Sequence, residues 1–297
     1  MTSEIGKSSI AEDGQRAALI SAESISSSLR GSNLVFIVGG LGGSTGSGAS
    51  AIIARIAKEQ NALVVSIVTY PFNFEGKQRG NEARKGITWL KRWSDTLIVI
   101  PNDRLLQLAN GTIGFHQTYE MAGLIWRQAI QGLNDLVNNP GLINIDFADV
   151  QAIMAEGGGA IIASGRGVGK NRARIAAEMA TRSEVLGLTI HGANGLIFNV
   201  CGGRDLSLLE VEEAAEIITE TAQPLANVIF GAAINPFLGD EVHITILATG
   251  FEFQAKQPSK ANGAARKAPV TMSNQPWRMT VAQPLLANFL FDSQLPK

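Results

Sequence analysis

The stretch FIVGGLGGSTGSGAS, residues 36–50, constrains the fold more than any other part of the chain. An apolar strand runs into a crowd of glycines, and a helical pattern runs out of it. Bare backbone between a strand and a helix suits an anion. N–H groups at a helix N-terminus, aided by the helix dipole, hold phosphate without a side-chain charge. Glycines let that backbone approach closely, and Ser44, Thr45 and Ser47 offer hydroxyls. The stretch contains no lysine, which excludes a Walker loop. A dinucleotide reading would use Gly46, Gly48 and Ala51. The strand that follows ends at Thr69 and Tyr70 without an acid to hold a ribose, which weighs against it. Residues 164–173, SGRGVGKNRA, miss the Walker pattern: Asn171 follows Lys170, and Ser164 stands where glycine is required.

The surrounding pattern is α/β. Helical spacing is expected over 14–29, a buried strand over 34–40, a helix over 48–61 stopped by Asn61, and a strand over 62–72. An amphipathic helix over 75–94 and a strand over 95–103 come next. That alternation predicts a parallel sheet with crossover helices. A long helix is expected over about 119–138, closed by NNPG. Residues 144–158 read as a loop and then a helix, with Asp146 near its start. Strands over 159–167, 195–203, 227–234 and 241–251, with helices over 169–186 and 207–222, make a second α/β region. From Gln254 the texture becomes basic and rich in Pro, Gly and Asn, as in a disordered tail. The tail ends in the apolar PLLANFLF, 284–291.

Composition narrows the function classes. The net charge of the 297 residues is −1, so no nucleic-acid partner is expected. The only cysteine, Cys201, points to a reducing compartment, and no signal core or membrane span is visible, so the expected location is the cytoplasm.

The motifs together resemble those of the FtsZ family, the prokaryotic relatives of tubulin. GGSTGSG (42–48) is similar to the family signature GGGTGTG. PFNFEGKQR (71–79), DTLIVIPNDRLL (95–106), QGLNDLVNNPGLINIDFADVQAIM (131–154) and LATGF (247–251) follow in the family order. The resemblance implies a nucleotide domain over 1–115, a central helix over 116–139, a smaller α/β domain over 140–253 and a tail over 254–297. It implies a GTPase in cell division, at the division site, that stacks head to tail with itself or another FtsZ. GTP or GDP would be the ligand, with Mg²⁺ carried by its phosphates.

The same resemblance assigns residues. Gly42, Gly43, Ser44, Thr45 and Gly46 would line the phosphates. Glu75 and Arg79 would contact ribose and phosphate, although an i,i+4 ion pair explains that spacing too. Asn102 would sit near the base or sugar. Asp146 and Asp149, supported by Asn144, would act on a neighbour's γ-phosphate by placing water. Helix capping explains the same two aspartates without chemistry. The tail would meet a division or membrane-anchor protein.

The chain also departs from the family pattern. The first strand and first glycine loop of the family have no counterpart before IGKSSIAEDGQ, so a sheet edge or core face should be left uncovered. Leu124 and Gly123 stand where the family reads guanine with Asp and Asn. That substitution implies weaker guanine selectivity. Ser44 and Ser47 replace the usual Gly and Thr, and Ser44 is expected to crowd a phosphate. The alternative function is therefore a nucleotide-poor paralogue that caps or modulates a partner's filament through its intact acidic loop.

Overall fold

The structure, a computed structural model, describes residues 10–108, 123, 127, 130, 141–155, 157–183 and 188–251. The chain divides into two units, Met1–Ala255 and Lys256–Lys297, and the described residues lie in the first. The expected central helix, with Leu124, and the expected tail lie outside the described residues, apart from helical Gly123, Arg127 and Ile130.

A pair of short helices, α1 (Ala11–Ile20) and α2 (Ala22–Leu29), leads into strand β1 (Leu34–Gly40). The expected single helix over 14–29 is broken at Ser21, which caps α1 through its N–H on Ala17 O and restarts the chain through its carbonyl to Ile25 N. The glycine loop then closes a π-turn, Ser44–Ala49, continuous with α3 (Ser50–Glu59). Helical structure thus begins inside the glycine loop, earlier than spacing suggests. Asn61, at φ +62°, stops it as expected.

Next come β2 (Leu63–Tyr70), a single 3₁₀ turn (Asn73–Glu75), α4 (Lys77–Trp93), β3 (Thr96–Pro101) and α5 (Asn102–Leu108). The second half holds α6 (Phe147–Met154), β4 (Gly158–Val168), α7 (Arg172–Ala180), a β5–β6 ribbon (Arg182–Ser183 with Leu188–Thr189), β7 (Gly195–Gly202), α8 (Leu208–Thr221), β8 (Asn227–Ile234) and β9 (Glu241–Phe251). α7 is shorter than expected at both ends. Gly169 and Asn171 take positive φ before it, and residues 182–183 leave it to form the ribbon.

One seven-stranded sheet runs β1-β2-β3-β4-β9-β7-β8. β1, β2 and β3 pair in parallel; β2 and β3 are buried, β-branched sequences, as two-sided sheets require, whereas β1 is buried only at Val35 and Ile37. β9 is antiparallel to both neighbours, β4 and β7. The halves meet narrowly, where β3 pairs with β4 only at Thr96↔Gly158 and Leu97↔Gly159. Buried Asp95 reinforces that seam. It accepts from Val64 N and Lys58 Nζ, while its carbonyl accepts from Gly158 N.

The core forms on both sheet faces. Val35, Ile37, Val64, Val68 and Leu97 pack with α3 and α4 residues such as Ala54 and Leu90. Val65, Ile67, Ile98 and Ile100 pack on the other face with Val150, Ile153 and Met154 of α6. A third cluster joins α7 and α8 to β7 and β9. Arg172, buried at the start of α7, fastens this part. Its guanidinium donates to Glu210 (2.7 and 3.2 Å) and pairs with Asp205 (2.9 Å) and Asp240 (3.3 Å). The guanidinium holds the Glu210 carboxyl below its usual range, and the carboxylates raise Arg172 further.

Candidate functional site

The loops that follow β1, β2 and β3 lie together at the carboxyl ends of three parallel strands, the usual ligand position in such sheets. The first is the glycine loop. Gly42 sits at φ +107°, and its N–H donates to Ser47 Oγ at 2.8 Å. Gly43 is extended and caps the π-turn. Gly46 could not be another residue, because a Cβ there would fall 1.8 Å from Gly40 O. α1 seals the loop from behind by the same close approach: a Cβ on Gly14 would strike Ser44 O, and one on Gly48 would strike Ala11 O. Buried Glu82 of α4 pins that helix by accepting from Ala11 N at 2.8 Å.

The serines do not serve as outward hydroxyls. Ser44 is 1% exposed and Ser47 fully buried, and Ser50 Oγ donates to Gly46 O. Thr45 alone of the expected hydroxyls faces solvent. Ser44 and Ser47 are thus buried within the loop rather than exposed on it.

The second loop carries Glu75 and Arg79. Glu75 Oε1 accepts from Phe72 N at 2.9 Å, and Oε2 pairs with Arg79 Nη1 at 2.9 Å. Arg79 is half exposed, and its Cβ and carbonyl lie against Gly42. Glycine loop and Arg79 are thus brought together, while Glu75 is occupied by its own turn and by Arg79. The third loop begins with Asn102. It is 6% exposed, and its Oδ1 is buried without a hydrogen-bond partner among the described residues. Its neighbour Asp103 accepts from Asn73 N at 3.1 Å and so ties the third loop to the second. Asp103 and Glu82 carry no local sequence signal, because both act on partners far along the chain.

A buried acceptor without a donor is costly unless something supplies the donor. An amine or hydroxyl of a bound nucleotide fits that need. The helix N-terminus, with glycines on its approach and Arg79 alongside, fits the phosphates. Among the described residues no group of three or more His, Cys, Asp or Glu is placed to hold a metal.

The acidic loop lies elsewhere. Ile143 pairs with Ala232 of β8, and buried Ile145 packs against Gly231. Asn144 Oδ1 accepts from Gly141 N at 2.6 Å. Asp146 and Asp149 form a reciprocal cap on α6. Asp149 N donates to Asp146 Oδ1 at 2.8 Å, and Asp146 N donates to Asp149 Oδ2 at 3.2 Å. The loop thus starts on β8, the edge of the sheet opposite β1, and the helix it caps packs against β2 and β3. Among the described residues, the hydrogen bonds of Asn144, Asp146 and Asp149 stay within their own loop.

Comparisons with known proteins show the family. The GTPase domain of the tubulin/FtsZ family matches residues 1–110, and the C-terminal domain of the FtsZ family matches residues 158–252. An empty FtsZ dimer from M. jannaschii is 38% identical, with a TM-score of 0.75 over 82% of this chain and 71% of that one. GDP-bound monomeric CetZ1 from Haloferax volcanii is 20% identical, with a TM-score of 0.71 over 84% and 77%. A GTPγS-bound CetZ2 protofilament from the same organism is 18% identical, with a TM-score of 0.69 over 84% and 75%. The latter two share the fold. On the strength of its two domain matches and its likeness to FtsZ, the chain belongs to the tubulin/FtsZ family of cytoskeletal GTP-binding proteins.

Proposed function

We propose that this protein binds GTP at the loops after β1, β2 and β3 and stacks head to tail, the acidic loop of one copy completing the site of the next. The buried Asn102 oxygen and the glycine-led helix N-terminus after β1, in a chain of this family, support this reading. Gly42, Gly43 and Gly46 admit the phosphates to the helix N-terminus, with Ser44 and Thr45 offering backbone N–H groups there. Arg79 adds charge, Glu75 orients Arg79, and Asn102 accepts from the base or sugar. Mg²⁺, where bound, offsets phosphate charge. Asp146 and Asp149 orient the attacking water, and Asn144 stiffens their loop. Phosphoryl transfer needs such positioning more than covalent help. Cell division is the process this assembly would serve, in the cytoplasm at the division site. The tail would meet a division or membrane-anchor protein.

A second reading has one observation in its favour. Leu124 and Gly123 occupy the positions where the family reads guanine. A chain that holds nucleotide poorly would cap or modulate the filament of a normal FtsZ through its acidic loop. Calorimetry with GTP and ATP, then turnover against protein concentration, separates the two. The first reading requires binding that prefers GTP and activity per subunit that rises with concentration. The second requires weak binding, with an effect on a partner's turnover that Asp149→Ala abolishes.

A further inference from the structure

We propose that Thr96 is a positioning residue for the acidic loop. Its hydroxyl registers the C-terminal end of α6 against the sheet, and α6 carries that placement to the aspartates at its other end. The inference rests on the proposed action of Asp146 and Asp149 on a neighbour's nucleotide. Asp146 caps α6 and Asp149 lies in its first turn. The eight residues of α6 make a stiff rod about 12 Å long, and such a rod is aimed by whatever holds its far end.

Thr96 is the only polar side chain of β3, TLIVIP, and it is fully buried. Valine would fill the same space, and a buried hydroxyl is costly without a partner. The partner is Met154 O, the last carbonyl of α6, which accepts from Thr96 Oγ1 at 2.9 Å. That carbonyl is already capped locally, because Gly157 N donates to it at 3.0 Å. A carbonyl has room for two donors. Thr96 therefore does not rescue an unsatisfied helix end. It ties a finished one to a strand that lies 58 residues earlier in the chain.

The surroundings leave space for this bond. A Cβ on Gly157 would lie 3.0 Å from Met154 O and 3.1 Å from Thr96 Oγ1. The preceding carbonyl, Ile153 O, is approached from the antiparallel half: Oγ1 of buried Thr249, on β9, lies 3.3 Å from it and 3.4 Å from Gly195 O. A Cβ on Gly195 would fall 2.6 Å from that hydroxyl. The last two carbonyls of α6 are thus each met by a threonine, one from each half of the sheet. Val150, Ile153 and Met154 share one apolar cluster with Ile98 and Ile100 of β3 and with Ile197 and Leu247 of β7 and β9. Apolar contact is non-directional and does not fix where a helix stands along its axis; a hydrogen bond does. A misplacement of about 1 Å at a reacting centre costs up to about 10²-fold in rate. Thr96 opens β3 and Asn102 follows its other end, so the hydroxyl acts on the acidic loop and not on the loops proposed to hold nucleotide.

The test compares Thr96→Val, Thr96→Ser and Asp149→Asn in the full chain by GTP turnover, GTP calorimetry and circular dichroism. Thr96→Val should lower turnover at saturating GTP by about 10–100-fold with GTP affinity unchanged, and Thr96→Ser, which keeps the hydroxyl, should restore it. If Thr96→Val fails to fold, Gly157→Ala replaces it: the added methyl presses on Met154 O and Thr96 Oγ1 and should give the same loss. A second readout separates positioning from general weakening. Gly43→Asp sets a negative charge against the phosphates where a Cβ has room, while its own Thr96 and acidic loop are intact. Mixed with it, Thr96→Val should regain turnover, because the damaged copy still receives nucleotide and the other copy presents the aspartates. Full turnover in Thr96→Val beside an inactive Asp149→Asn overturns this inference alone. So does a loss of GTP affinity, a failure of serine to restore turnover, or a mixture no more active than its parts. An active Asp149→Asn instead overturns the proposed role of the aspartates, and this inference with it.

Discussion

The loops after β1, β2 and β3 differ from the acidic loop beside β8 in what their polar groups have left to do. The first group is unfinished. It holds a buried Asn102 oxygen without a donor and a glycine-led helix N-terminus. In the acidic loop, Asn144, Asp146 and Asp149 already accept backbone N–H groups. On the proposed reading, one region would receive a ligand and the other, stiffened by its own bonds, would be presented to a neighbour. The capping explanation of the aspartates and the catalytic one are thus compatible: capping holds the carboxylates at the tip of α6, where a neighbour's nucleotide would meet them.

The largest expected effect strikes the presenting side. Asp149→Ala should lower turnover about 10²–10⁴-fold while GTP binding stays near normal. It should also cost about 0.5–1 kcal/mol of stability through the lost bond from Asp146 N, the Asp146 cap itself being kept. Asp149→Asn, which keeps an acceptor for Asp146 N, should lose turnover without that stability cost. Steady-state kinetics and thermal unfolding of the two variants separate the roles.

Gly46→Ala attacks the receiving side. A methyl 1.8 Å from Gly40 O must displace backbone, at about 3 kcal/mol, and GTP binding should vanish by calorimetry.

Arg172→Leu lies in neither region and tests whether the comparison is specific. It should cost about 2–3 kcal/mol, less than a fully buried ion pair because Asp205 and Asp240 are largely exposed. Nucleotide affinity should not move. The lowered Glu210 carboxyl gives stability above 4.5, the ordinary carboxylate value, and that stability fades as pH falls through the folded value. Urea unfolding from pH 7 to pH 3 should show a shallower acid loss in the variant.

Asn102→Leu should have the smallest effect on the empty protein. Removing an unpaired acceptor should leave stability unchanged or raise it by about 1 kcal/mol, while GTP binding weakens. A stability loss without a binding loss would mean that Asn102 serves the fold alone.

Much of this was legible in the sequence. Strands 227–234 and 241–251 appear with the expected bounds, because alternation and punctuation by Gly, Pro and Asn are local signals. The glycine loop and the loop after β3 declared themselves as strand–turn–helix patterns. The inward turn of Ser44 and Ser47 did not. It depends on α1 and α4, through Gly14 against Ser44 and Gly86 against Ser47. Glu82 capping Ala11 and the orphaned Asn102 oxygen also depend on residues distant in sequence, which periodicity does not report.

The most direct test of a site shared between copies is to mix two inactive variants. Gly43→Asp has room for its Cβ but sets a negative charge against the phosphates, while its own acidic loop is intact. Asp149→Asn holds nucleotide but presents no carboxylate at that position. Each alone should be nearly inactive. Mixing them should restore a substantial fraction of GTP turnover, because junctions form in which one copy holds the nucleotide and the other presents Asp149. A mixture no more active than its components, although both variants fold and Asp149→Asn binds GTP, would contradict the account.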